Sequence, residues 1–199
     1  MNDHLFYFFM RTRDEEKQEA LFEATVKVVN KIGFAASSVA KIAKEAGISP
    51  ATLYIYHKNK EDLLISTYLN IKRKLSDTAF ENIDESLPIR DCFRTIWFDL
   101  FKFTAKHPDY FQFSEQFSNS PYNDKIRQQE IDKMFVPIGN LIRRGIAQKI
   151  IKNMGVDIIS AFVFYPVIVL SNPRLCRNFN MTDEQIDQSF QLAWDAIKL

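Results

Sequence analysis

The chain has 199 residues, with 26 Lys and Arg against 25 Asp and Glu for a formal net charge of +1. That length allows one or two domains with a core of their own, and the near-neutral balance excludes a uniformly basic nucleic-acid coat. Only five glycines occur, and long runs lack both Gly and Pro, so the fold class expected is all-α, with no membrane span.

Residues 1–10, MNDHLFYFFM, differ in character from the rest of the chain. Their apolar run is too short for a signal-peptide core and has no basic residue before it. A first helix is predicted over 14–32, with Leu21, Ala24, Thr25, Val28, Val29 and Ile32 facing inward and Gly33 stopping it. Arg11 and Arg13 precede it.

Ser37–Lys60, SSVAKIAKEAGISPATLYIYHKNK, reads as two short helices around a tight turn. Val39, Ile42, Ala43 and Ala46 recur at helical spacing, and Ser37 or Ser38 caps them. Gly47 ends the first helix and Ile48 plugs the turn. Ser49 caps the second helix, with Pro50 at its first position. Leu53 faces inward, which leaves Thr52, Tyr54, Ile55 and Tyr56 on the other side. This is a helix-turn-helix pattern, whose second helix enters the DNA major groove.

A fourth helix opens at Lys58 or Asn59 and runs to about Asn82, with Leu63, Leu64, Thr67, Tyr68, Ile71 and Leu75 on one side. Asp84–Pro88 is a break. Residues 88–106 form a helix with Phe93, Trp97, Leu100 and Phe101 at helical spacing, ended by His107-Pro108. Asp109–Phe117 comes next, then a loop at Asn119–Asn123. Residues 124–151 are predicted helical, with a kink at Pro137 and Gly139. Residues 156–171, VDIISAFVFYPVIVLS, are apolar nearly all round, which predicts burial on every side and a kink at Pro166. Thr182–Lys198 is a last amphipathic helix with Ile186, Phe190, Ala193, Trp194 and Ile197 inward.

The charge is distributed unevenly. Residues 11–75 carry 12 Lys and Arg against 8 Asp and Glu, and residues 76–199 carry 14 against 16. A basic head on a slightly acidic body suits DNA binding by the head. Eighteen phenylalanines imply a large aromatic interior, a ligand cavity, or both. Cys92 and Cys176 have no metal-type spacing and read as free thiols. With only His4, His57 and His107, and no nucleophile or metal constellation, neither an enzyme nor a cofactor is expected.

Gly33-Phe34, Ser37-Ser38-Val39, Ile42-Ala43, Ala46-Gly47-Ile48-Ser49, Thr52-Leu53-Tyr54, Tyr56, Lys58, Lys60-Glu61 and Leu63-Leu64 stand in one order at fixed spacing. In this the chain resembles the TetR family of bacterial transcriptional regulators over residues 14–70. It departs at Ala51, where the family often has glycine, and at His57, where it usually has an inward apolar residue. The resemblance implies a three-helix DNA-binding domain over 1–57, a connecting helix over 58–80, and a ligand-binding and dimerisation domain over 81–199. MRTRDEEKQEAL resembles a family opening, so Met10 is expected as the natural start. Arg11 and Arg13 would either touch DNA or remain solvated charge.

Carried over by position, Ser37, Ser38 and Lys41 would lie at a phosphate. Ser49 would cap the recognition helix, and Pro50, Ala51 and Thr52 would face the groove floor. Tyr54, Tyr56 and Lys60 would bind the DNA backbone. With no Arg, Asn or Gln in Ser49–His57, shape readout carries more of the specificity. The partners implied are double-stranded DNA with an inverted-repeat operator, a second copy joined through the last two helices, and a small-molecule effector that releases the DNA. The aromatic stripes offer as effector contacts Phe93, Trp97 and Phe101; Phe111, Phe113 and Phe117; and Phe135, Ile142, Phe162 and Tyr165. Arg94 and Glu115 could orient a polar end. The expected function is thus a cytoplasmic, ligand-released repressor. The alternative is an interaction protein that uses the same fold to localise on DNA without regulating promoters.

Overall fold

A computed structural model describes the backbone of residues 3–199 and the side chains from Asp14 onward. The side chains of Met10, the expected start, and of Arg11 and Arg13 lie outside the described residues. Ten α-helices occur among the described residues. They fall into two compact units, residues 1–70 with 112–126, and residues 71–111 with 127–199.

In the first unit, α1 (Asp3–Ala36) is interrupted at Gly33, whose φ of 76° and ψ of 167° are not helical. That left-handed φ is open to glycine at little steric cost, which is why the regular helix breaks there. Its buried stripe contains Leu21, Ala24, Thr25, Val28 and Val29, but Ile32 is 37% exposed. Ile32 lies next to the break, where the expected stripe turns off the core.

Helices α2 (Val39–Glu45) and α3 (Pro50–Tyr56) come next, packed with α1 around Leu21, Ala24, Val28, Ile42, Ala43, Leu53 and Leu63. Helix α4 spans Lys60–Phe80. Asn59 opens it: its side-chain oxygen accepts the Asp62 N–H at 2.9 Å, which satisfies one orphan donor of the first turn. Helix α6 (Pro108–Ser118) supplies Phe113 and Phe117 to the same unit. Both rings meet Phe34 edge-on, and Phe117 stacks on Tyr68. Gln112 and Gln116 donate to the backbone carbonyl and side-chain oxygen of Asn30 at 3.3 and 3.0 Å.

The second unit is built on α5 (Ile89–Lys106). Its Phe93, Ile96, Trp97 and Phe101 are buried against α9 (Val156–Ser171) and α10 (Asp183–Ile197). A capping box starts α10: Thr182 accepts the Gln185 N–H while the Gln185 side chain accepts the Thr182 N–H. A short backbone bridge joins the chain after α8 to the end of α10, with the Lys152 N–H donating to the Ile197 carbonyl at 2.9 Å.

The single kinked helix expected over 124–151 is instead a 3-10 turn at Asn123–Lys125, then α7 (Gln128–Met134) and α8 (Val136–Ala147). Phe135 leaves helical geometry between them, and Pro137 lies in the first turn of α8. An unpaired N–H is normal in a first turn, so proline starts this helix rather than bending one.

Helix α9 is continuous through Pro166. The sequence predicts burial on every side of it. Within the chain, Ile159, Val163 and Val167 are buried, whereas Ile158 is 46%, Phe162 59%, Tyr165 63% and Val169 36% exposed. One apolar face is covered and the other is open.

Candidate nucleic-acid interface and effector cavity

The α2–turn–α3 segment is fixed by local chemistry. Ser38 Oγ accepts the Lys41 N–H at 3.3 Å, and Ser49 Oγ accepts the Thr52 N–H at 3.0 Å. Gly47, at a φ of +68°, turns the chain between them. Leu53 is fully buried, a burial that stabilises by roughly 1.5–3 kcal/mol and locks the rotation of α3. Because Leu53 points in, Tyr54 and Ile55 point out, at 55% and 77% exposure. Pro50 and Ala51 are exposed beside them, and Thr52 is half-buried.

The other candidates divide by what they touch. Ser38, Ser49 and Lys41 are exposed, and Lys41 Nζ donates to the Ala36 carbonyl at 3.0 Å. Ser37 is 1% exposed and its hydroxyl donates to the Phe34 carbonyl at 2.8 Å. Its side chain closes the turn before α2 instead of reaching outward, a correction to its expected place at a phosphate. Tyr56 donates its phenol to the Asp14 carboxylate. That acceptor first, and burial second, hold the phenol pKa above its ordinary value. Lys60 Nζ donates to the Phe34 carbonyl, and burial lowers its pKa. His57 ends α3, its Nδ1 at 3.3 Å from an Asp62 oxygen, so the residue that departs from the family pattern meets a carboxylate. Sequence reasoning missed Asp14 and the Phe34 carbonyl as partners. Their chain separations of 42 and 26 residues from Tyr56 and Lys60 leave no periodic signal.

The second unit holds a cavity of about 270 Å³. Leu75 and Phe80 of α4, Ile96 and Leu100 of α5, Phe135, Ile138 of α8, and Phe164 and Val167 of α9 supply most of its wall, with Thr104 and Ser160 the hydroxyls. Among the sequence candidates, Phe135 is on that wall. Phe93, Trp97, Phe101 and Ile142 are fully buried core. Phe113 and Phe117 belong to the other unit, and Phe111 is half-buried on α6. Phe162 and Tyr165 face outward from α9. The buried members of the helical stripes, Phe93, Trp97 and Phe101, are consumed by packing against neighbouring helices, and the cavity is walled instead by Phe80, Phe135 and Phe164 with aliphatic side chains between them. Arg94 pairs with Asp187 at 2.5 Å on the surface, and Glu115 is exposed in the first unit, so neither borders the cavity.

Residues 21–67 match the description "Bacterial regulatory proteins, tetR family" and residues 88–198 match "Tetracyclin repressor-like, C-terminal domain". The chain belongs to the TetR family. It is a helix-turn-helix transcriptional regulator of that family. A TetR family transcription regulator from Marinobacter aquaeolei superposes with a TM-score of 0.86 and 34% identity, over 94% of this chain and 98% of that one. A helix-turn-helix transcriptional regulator of Haemophilus influenzae is 28% identical over 112 residues, 56% of this chain and 60% of its own length. The transcriptional regulator FadR from Bacillus subtilis, solved in complex with stearoyl-CoA, shares the fold at a TM-score of 0.68 and 23% identity, over 88% of this chain and 95% of that one. TetR regulators bind DNA and small-molecule effectors. Among the described residues, no helix is long and apolar enough to cross a membrane, and no group of His, Cys, Asp and Glu could hold a metal.

Proposed function

We propose that the chain is a homodimeric repressor in the cytoplasm. It would hold an inverted-repeat operator through α2 and α3 and leave it when a small apolar molecule fills the cavity of the second unit. The observation that carries this reading is the outward face of α3, where Tyr54 is 55% exposed opposite a fully buried Leu53. Phenol and lysine groups on such a face hold phosphates, while Pro50, Ala51 and Thr52 offer thymine methyls short apolar contacts and one hydroxyl. Ser38, Lys41, Ser49, Tyr56 and Lys60 complete the contact set.

Dimerisation is supported by the open row Ile158, Phe162, Tyr165 and Val169 on α9. Two such rows cover each other in a self-complementary interface. A twofold dimer reads half-sites about one helical turn apart or somewhat more. The effector acts by preferring the arrangement that does not fit DNA. The cavity wall is carbon apart from Thr104 and Ser160, which suits an acyl or other apolar group.

Genome-wide occupancy of the tagged protein tests the reading. One or a few promoter sites, each with an inverted repeat, support it. Many scattered sites without a shared repeat favour an interaction protein localised on the chromosome.

A further inference from the structure

Beside the apolar cavity lies a second pocket of about 200 Å³, bordered by Phe80, Ile83, Glu85, Pro137, Asn140, Leu141 and Arg144. Phe80 borders both spaces, and Pro137 of the one is adjacent in sequence to Ile138 of the other. The first space is walled by carbon apart from the hydroxyls of Thr104 and Ser160. The second carries an arginine and an amide.

Arg144 is oriented from several sides. One terminal nitrogen, Nη1, donates to the Glu85 backbone carbonyl at 2.6 Å, and Nη2 lies 3.6 Å from Cys92 Sγ. Its Nε is buried and has no hydrogen-bond partner. No carboxylate forms an ion pair with it among the described residues. Glu85 offers its carbonyl, and its residue is exposed. A guanidinium held by two neutral acceptors has no counter-charge beside it, and an oxyanion at its terminal nitrogens supplies one. Asn140 adds an amide whose oxygen already accepts from Arg143 at 2.6 Å, so its N–H₂ is the part that can donate to an anion.

Building on the proposed effector role of the cavity, the geometry points to an effector of one chemical class, an acyl chain ending in an anionic head. The chain lies between Leu75, Ile96 and Phe164, and the head meets Arg144 past Phe80. The two spaces together fall inside the roughly 300–1,000 Å³ range of small-molecule sites, which the first alone does not reach.

The test is calorimetric titration of the full-length protein with dodecanoate, dodecanol and dodecylamine, which share a chain and differ in head charge. The expected order is dodecanoate tightest, by about tenfold over dodecanol, with dodecylamine weakest. In Arg144→Met the dodecanoate affinity falls to that of dodecanol, while dodecanol is unchanged; Arg144→Lys retains most of the preference. The wild-type comparison stands even where a variant fails to fold. If dodecanoate and dodecanol bind equally to the wild type, or if dodecylamine binds tightest because Glu85 sets the preference, the anionic head is refuted while the cavity remains an effector site. If none of the three binds, or if Ser160→Phe leaves their binding untouched, the cavity is not their site, and both the effector reading and this inference fall. Dodecanoyl-CoA added to the same series separates a free carboxylate from a thioester-linked phosphate head.

Discussion

The phenol of Tyr56 donates to the carboxylate of Asp14, 42 residues earlier in the chain. A side chain proposed to grip DNA phosphate is thereby tied to an acidic group on α1. Asp14→Asn removes a negative charge from that neighbourhood and weakens the competing acceptor. The variant is expected to bind random duplex roughly two- to fivefold more tightly, the size of one exposed charge interaction. Fluorescence anisotropy at fixed salt measures it, and unchanged affinity would place Tyr56 away from the phosphates.

The same pair predicts a pH dependence. The phenol's folded-state pKa is raised, by hydrogen bonding to Asp14 and then by burial. A raised pKa contributes stability below the unfolded value, and the contribution is lost as pH rises through the folded value. The stability difference between wild type and Tyr56→Phe is therefore expected to be present near pH 7 and lost only at a pH above the ordinary tyrosine value. Urea unfolding at the two pH values reads it.

Lys60 is proposed to exchange its internal acceptor, the Phe34 carbonyl, for a phosphate. Lys60→Ala should lower the slope of log affinity against log salt by about 0.9, the contribution of one phosphate contact. Titrations at several salt concentrations decide it; an unchanged slope keeps Lys60 as an internal strut only.

Of the glycines in the second unit, Gly145 is the most closely packed. A Cβ added there would lie 2.5 Å from Ile151 Cδ1 and 3.2 Å from Ile89 Cγ2. Both isoleucines are buried, so neither side chain can swing away into solvent. Gly145→Ala is expected to destabilise by about 1–3 kcal/mol, the range for overpacked cores, measured by urea denaturation with the m-value held constant.

Phe162 and Tyr165 give an independent prediction. Because both are exposed in the single chain, Phe162→Glu should leave monomer folding intact. It should abolish the dimer in sedimentation and weaken binding to an inverted repeat about a hundredfold or more, as paired binding is lost. A variant that stays dimeric with full affinity would move the interface elsewhere.

The helix-turn-helix was legible because its signals are local: Ser38 and Ser49 as caps, Gly47 at the turn, and Leu53 as the one inward residue of α3. The all-α class came from composition, five glycines and long runs free of Gly and Pro. The cavity was not legible, because Phe93, Trp97 and Phe101 have the same helical spacing whether they line a space or fill it. The tie from Tyr56 to Asp14 and the seating of α6 beside Phe34 depend on which helices meet, and periodicity within a helix does not encode that. The uncovered side of α9 was legible only in part, for a related reason: uniform apolarity says that a face will be covered, but not whether by the same chain or by another.

A hydroxyl-radical footprint on a fragment recovered from the genome tests the central claim most directly. Two inverted patches of protection about one helical turn apart or somewhat more, both lost in Tyr54→Ala at the same salt, are the predicted result. A single patch, or protection that Tyr54→Ala leaves unaltered, would contradict the account.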